Sequence, residues 1–183
     1  MTVTNTHKET EGSGRLTEKA QARGTHRIMD DLTQTHVAVV GLSTYRDVYM
    51  ADPLERVARI RHGVPASLAE STSREIGYSK ERLFSMLRFP RATINRKITG
   101  GEMLSPEFSE RLLGLQKVIG QVEVMVAESG NPEGFSAPQW VGQWLEQPCP
   151  ALGNEKPVDY MDTLEGQELV SSVLAKMQSG AYA

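Results

Sequence analysis

From residue 53 onward the apolar residues fall three and four apart, the spacing of one face of a helix. Residues 1 to 35 are polar, threonine-rich and without sustained period, and read as mostly disordered. Leu16, Ala20, Ile28 and Leu32 there support at most a frayed helix. Val37 to Val40 is a short β-branched run before Gly41 that suits a strand and a packed arm equally. The first firm start is Asp52-Pro53, an N-cap followed by proline at the first helical position. It predicts a helix with Leu54, Val57, Ala58 and Arg61 on one face, ending at Gly63. Ser67-Leu68-Ala69-Glu70 has capping-box spacing and predicts a second helix burying Leu68, Thr72 and Ile76 up to Gly77, with Pro65 as an alternative start. Ser79 caps a third, with Leu83, Phe84 and Leu87 inward, and Phe89-Pro90 breaks it. A short helix from Pro90 to Ile98 stops at Gly100-Gly101, and the pair matches a helix-turn-helix.

Ser105-Pro106-Glu107 opens a longer helix on which Phe108, Leu112, Leu115, Ile119, Val122 and Val126 alternate steps of four and three. Such a seam packs either on the chain's own core or on a second copy. Gly130-Asn131-Pro132 ends it. Ala137-Pro138 begins a helix whose Trp140 and Trp144 share a face and suit the core. After a Pro148-Cys149-Pro150 turn and a short helix led by Pro157, a last helix runs from Thr163 to Ser179. It carries Val170, Val173, Leu174 and Met177 on one stripe and stops at Gly180. The whole reads all-α.

Composition adds that not all of the chain is core, since apolar residues make up 39% of its 183 positions. The single cysteine, Cys149, excludes an internal disulfide framework and fits a reducing, cytoplasmic setting. A basic-then-apolar leader and an apolar run of ~18 residues are both missing, which argues against export and against a membrane span. The net charge of −3 hides an asymmetry: residues 53–126 hold 12 Lys+Arg against 8 Asp+Glu, and residues 127–183 hold 2 against 8. A basic middle and an acidic end suggest separate partners.

Within the basic part, Lys80, Arg82, Arg88, Arg91, Arg96 and Lys97 face one acid, Glu81, between residues 79 and 97. Ile94 is the anchor of the second helix, and Thr93, Asn95, Arg96 and Lys97 are then expected to project outward. A DNA reader needs this division, with one side fixed and short polar or arginine side chains reaching base edges. Arginine pairs bidentately with guanine and asparagine with adenine, each worth ~1–3 kcal/mol of discrimination. Lys80 and Arg91, near helix starts, suit phosphate. An exposed basic helix without a ligand is the plainer alternative.

The order Trp144-Leu145, Pro148, Ala151-Leu152-Gly153, Pro157, Thr163, Gly166, Leu174 and Gly180 resembles the C-terminal toxin-binding domain of the Xre/MbcA/ParS antitoxins. Residues 79–97 resemble the Xre helix-turn-helix that precedes it, and the likeness spans roughly residues 53 to 183. One departure is the turn, which holds Phe89-Pro90 and no glycine. The resemblance implies an antitoxin for a RES-type toxin that consumes NAD, with the last helix and tail at or in the toxin's active site. Carried onto this chain, the contact residues are Lys176, Ser179, Gly180, Ala181, Tyr182 and Ala183. A cleft built for NAD phosphates is basic, so an acidic domain ending in a carboxylate would be drawn to it. The expected organisation is a flexible segment over 1–50, the helix-turn-helix domain over 51–128 and the toxin-binding domain over 129–183. The expected partners are the cognate toxin, operator DNA and a second copy in a homodimer. The rival is a stand-alone helix-turn-helix regulator whose acidic end dimerises or binds another protein.

Nothing in the sequence favours an enzyme. His7, His26, His36 and His62 have no zinc-site spacing. Cys149 sits between prolines without an evident activating group. Gly12-Ser13-Gly14 and Gly100-Gly101 lack the residues of a phosphate loop. The repeating acids Asp159, Asp162, Glu165 and Glu168 have no His or Cys to complete a metal site and suit a solvated face. No cofactor is expected.

Overall fold

In a computed structural model, residues 1–2, 44–130 and 132–180 are described. They form eight α-helices and two 3-10 turns: α1 (Tyr45–Met50), α2 (Pro53–His62), α3 (Ser67–Glu75), α4 (Lys80–Met86), α5 (Arg91–Thr99), α6 (Pro106–Glu128), α7 (Ala137–Leu145), the turns Pro150–Leu152 and Pro157–Tyr160, and α8 (Leu164–Gln178). The fold is all-α. Among the described residues extended pairing is confined to an isolated antiparallel bridge, Pro65 to Met103. No helix among them is long and apolar enough to cross a membrane.

Helix α6 is the axis. It touches α1, α2, α7 and α8, and Leu112, Leu115, Ile119 and Val122 along it are buried. The alternating seam is therefore the chain's own core, and its use as a dimer seam is overturned: these side chains are already covered from within. Polar residues of α6 join neighbours the same way. Gln116 Nε2 donates to Thr72 Oγ1 of α3 at 3.0 Å, and Gln121 Nε2 donates to the Ser171 carbonyl of α8 at 3.0 Å. Truncating Leu115 to alanine leaves a cavity on this axis and is expected to cost about 2–5 kcal/mol in urea unfolding.

Several starts and faces differ from expectation. Most of the segment 1–50, Val37–Val40 included, lies outside the described residues, but Tyr45–Met50 is helical. Thr44 and Asp47 close a capping box around its start. Conversely Ser67 does not cap α3. The cap position is Ala66, whose own backbone is already helical, because Val64–Ala66 is tied to Glu102–Leu104: Leu104 N–H donates to the Val64 carbonyl at 2.8 Å and Ala66 N–H to Glu102 at 3.0 Å. On α2 the expected inward face points out. Leu54 is 79% exposed and Val57 and Arg61 are exposed, whereas Arg59 is buried. Turning α2 this way sets Ile60 against the core. On α8, Val170, Val173 and Leu174 are buried as expected, and Met177 is exposed.

The helices after residue 137 add a small cluster of their own, Cys149, Leu152 and Val173, but pack mostly into the main core. Val141, Leu145, Val158, Met161, Val170 and Leu174 belong to the same cluster as Leu83, Phe84 and Ile94. Residues Leu42–Ala183 make a single compact unit.

Candidate functional site

The basic half of the site is the α4–turn–α5 segment. Ser79 Oγ accepts the Arg82 N–H at 3.1 Å, and Leu83, Phe84 and Leu87 are buried. The chain then reverses in a Schellman closure: Arg88 N–H donates to the Ser85 carbonyl at 3.3 Å and Phe89 N–H to Phe84 at 2.8 Å. The Phe84 and Phe89 rings lie 6.1 Å apart, and Phe89 meets Phe108 edge-on at 5.3 Å. This fixes the angle at which α5 leaves.

The same paired bonds end α3 at Gly77 and α5 at Gly101, with left-handed φ of 78° and 65°. In the middle turn the left-handed residue is Arg88, φ 53°. A residue with a Cβ in that region costs ~1–2 kcal/mol that a glycine avoids. Its guanidinium reaches Asp162 at 3.0 Å, but the arginine side chain is 74% exposed, and pairs so wet contribute only ~0–1 kcal/mol. The missing glycine of the turn thus resolves into a strained arginine.

Helix α5 is anchored by buried Ile94. Arg91, Ala92, Asn95, Arg96 and Thr99 form its exposed face. Thr93 and Lys97, expected to project outward, are half-buried. Lys97 Nζ is held by Glu102 at 3.1 Å and by the Met103 carbonyl at 2.9 Å. Arg96 does face out, 2.9 Å from the other Glu102 oxygen. Lys97's bond, with the charge of Arg96, keeps the Glu102 carboxyl below the usual carboxylate range against some loss of hydration. Lys80 lies 3.5 Å from Glu70. Five of the six cations between 79 and 97 thus have a carboxylate partner; Arg91 has none among the described residues.

The acidic half comes after α6. Trp140 and Trp144 stack at 5.8 Å with planes 8° apart, and Phe135 extends the ladder at 6.3 Å from Trp140. Both tryptophans are half-buried against the core rather than within it. Cys149 is buried, its carbonyl accepting from Leu152 and Asn154. Gly153 supplies the left-handed stop after Pro150–Leu152. Thr163 Oγ1 caps α8 by accepting the Gly166 N–H at 3.1 Å. Helix α8 ends at Ser179, with Gly180 left-handed, and Lys176, Ser179 and Gly180 are exposed. Ala181, Tyr182 and Ala183 lie outside the described residues.

No local signal in the chain announces how the two halves join. Glu146, at the end of α7, bonds Arg82 Nε at 2.9 Å and also Arg82 Nη2. It accepts the Tyr78 hydroxyl at 3.1 Å and has Lys156 at 3.8 Å. Burial pushes its carboxyl up, but Arg82, Tyr78 and Lys156 together hold it below the usual carboxylate range. Burial and Glu146 raise the Tyr78 phenol in turn. Tyr78 also donates to the Gly142 carbonyl at 2.8 Å. Asp162, one of the repeating acids, is committed to Arg88. The bonds of Tyr78, Arg82 and Arg88 span 64 to 74 residues, beyond any local spacing rule.

Residues 55–117 match the antitoxin Xre-like helix-turn-helix domain, and residues 133–180 match the antitoxin Xre/MbcA/ParS C-terminal toxin-binding domain. A protein of Sphingobium sp. (strain YBL2), named Prs ADP-ribosylating antitoxin, is 45% identical over 139 residues, covering 76% of this chain and 87% of that one. The chain belongs to the Xre/MbcA/ParS antitoxin family. In this antitoxin the helix-turn-helix match contains α4 and α5 with their exposed face, and the toxin-binding match holds the aromatic ladder and α8. The Arg82–Glu146 and Arg88–Asp162 pairs run from one matched region to the other.

Proposed function

We propose that this antitoxin neutralises an NAD-degrading RES-type toxin by covering its active site with residues 129–183, and represses its own operon through the helix-turn-helix within residues 51–128. The observation that carries this reading is the order of the two matched regions, a helix-turn-helix and then a toxin-binding section. The name of the Sphingobium relative joins an antitoxin to ADP-ribosylation. ADP-ribosyl transfer draws on NAD, in keeping with a toxin that consumes it. The chain acts by binding, without cofactor or catalysis of its own. Toxin contact falls to Lys176, Ser179 and Gly180 at the exposed end of α8, together with Ala181, Tyr182 and Ala183 beyond it.

On DNA, Asn95 and Arg96 read bases from the exposed face of α5, while Arg91 and Lys80 hold phosphate. Thr93 and Lys97, half-buried, support that face from its edge. Two copies bind as a homodimer, as half-site spacing requires. The Leu112–Val122 row, being core, is not their contact. Co-expression with the protein encoded beside it tests the first half. The expected result is a co-purifying complex with no NAD loss, and NAD loss when the toxin is released. An NAD-consuming neighbour that ignores this chain would refute the pairing.

The DNA half has its own check. Arg96→Ala is expected to weaken binding to the protein's own promoter by roughly tenfold while barely altering a shuffled duplex, since a guanine contact is worth ~1–3 kcal/mol. Equal promoter affinity in a gel-shift titration rules Arg96 out as a base reader.

A further inference from the structure

The α4–α5 turn faces an open cleft of about 490 Å³, lined on one side by Arg82, Arg88 and Arg91 and on the other by Asp159 and Asp162 of the toxin-binding section. The three arginines differ in how they are held. Arg82 is bound through both Nε and Nη2 to Glu146 and is spoken for. Arg91 is exposed, at the first position of α5. Arg88 stands between them. Its backbone occupies the left-handed position that glycine takes in the two sister turns, Gly77 and Gly101. Its side chain is 74% exposed, and among the described residues its guanidinium makes one bond, through Nε, to Asp162.

A guanidinium has five N–H donors, and a single carboxylate oxygen takes up one of them here. The rest have no hydrogen-bond partner among the described residues, and they stand beside the end of α5 that enters the major groove in a helix-turn-helix complex. Their fixed fork geometry matches phosphate oxygens.

We propose that Arg88 is a DNA-phosphate contact, and that Asp162 is its stand-in counter-ion while no DNA is bound. On the duplex the guanidinium leaves the carboxylate for a phosphate of the backbone flanking the groove that α5 enters. Phosphate contact orients the protein without reading sequence, so Arg88 adds affinity for any duplex. The exchange couples the two matched regions: each time DNA binds, a carboxylate of the toxin-binding section loses its partner. This inference rests on the DNA-binding reading above and adds to it a residue and a competition.

The experiment uses the full chain and two fluorescent duplexes, one of its own promoter and one of shuffled sequence, titrated at several salt concentrations. R88G keeps the turn, because glycine accepts the left-handed position, and removes only the side chain. It is expected to weaken both duplexes by about tenfold and to lower the slope of log affinity against log salt by about one. D162N frees Arg88 and is expected to tighten binding by about threefold. That gain should vanish in the R88G background, which a structural role for the ion pair would not produce. If wild type binds neither duplex, the DNA reading itself fails and this inference with it. If wild type binds and R88G matches it in affinity and slope, Arg88 makes no phosphate contact and only this inference is overturned. A D162N gain of equal size with and without Arg88 overturns the exchange with Asp162.

Discussion

Replacing Gly142 with alanine is expected to cost the native state about 3 kcal/mol, close to the upper end for overpacking in a well-packed core. The added Cβ would stand 2.1 Å from the Ile76 carbonyl oxygen and 3.1 Å from its carbon, and the neighbour in the way is backbone. Neither wall can yield cheaply. Ile76 lies in the closure that ends α3, where Gly77 and Tyr78 N–H groups are already committed to Arg74 and Ser73. Gly142 is flanked on α7 by Val141 and, a turn on, Leu145, both fully buried, and its carbonyl accepts the Tyr78 hydroxyl. The clash would therefore push α7 away from α3 and open the joint that Glu146, Arg82 and Tyr78 hold. In thermal unfolding the midpoint should fall by roughly 6–12 °C, taking ~2–4 °C per kcal/mol for a chain of this size. Gly134→Ala is the control. It has a positive φ of 75° but nothing within 4 Å of its added Cβ, and should lose only the ~1 kcal/mol of left-handed strain. Equal losses for the two substitutions would show that the close approach of α7 to α3 is not what Gly142 supplies.

The same joint marks where a reading of the sequence stops. The α4–turn–α5 unit was legible because its signals are local: a serine cap at Ser79, a proline break after Phe89, and Leu83, Phe84, Leu87 and Ile94 at helical spacing. The row on α6 was legible as a row, but spacing alone could not say what covers it, and α1, α2, α7 and α8 do. Failures came where tertiary contact outweighed local preference. Ser67 lost its cap to the pairing of Val64–Ala66 with Glu102–Leu104, and α2 turned Leu54 and Val57 outward. The charge asymmetry was real but only half used for partners. Arg82 and Arg88 of the basic part spend their charge on Glu146 and Asp162 of the acidic part. Counting charges along the chain cannot separate a cation held by its own protein from one offered to another molecule. Within the candidate site this distinction separates Lys97, half-buried and held at two points, from Asn95, which stands exposed on the same helix.

Deleting residues 181–183 is expected to abolish protection from the toxin while leaving the antitoxin folded. The two effects separate because of where the core ends on α8. Val170, Val173 and Leu174 are buried, and every residue from Ala175 to Gly180 is exposed. The helix closes on its own terms: the Ser179 N–H donates to the Ala175 carbonyl at 3.2 Å, and Gly180 takes the left-handed φ of 69°. The buried residues of α8 end at Leu174, so the unfolding free energy of the truncated chain in urea is expected to stay within the ~0.5 kcal/mol typical of surface changes. Under the proposed reading, by contrast, those three residues carry the aromatic ring of Tyr182 into a basic, NAD-binding cleft. A Tyr182 side chain seated in such a cleft would be a central anchor of the kind whose loss costs an interface ~2 kcal/mol or more. The readout is growth and cellular NAD after toxin induction, with the truncated chain confirmed soluble and folded. Lys176→Glu, on the exposed face one turn earlier, probes the approach to the cleft and is expected to weaken protection without abolishing it. Full protection by the truncated chain would move toxin recognition off the tip, onto the exposed face of α8 or the Phe135–Trp140–Trp144 ladder. The antitoxin would then cover its target with a surface instead of a plug.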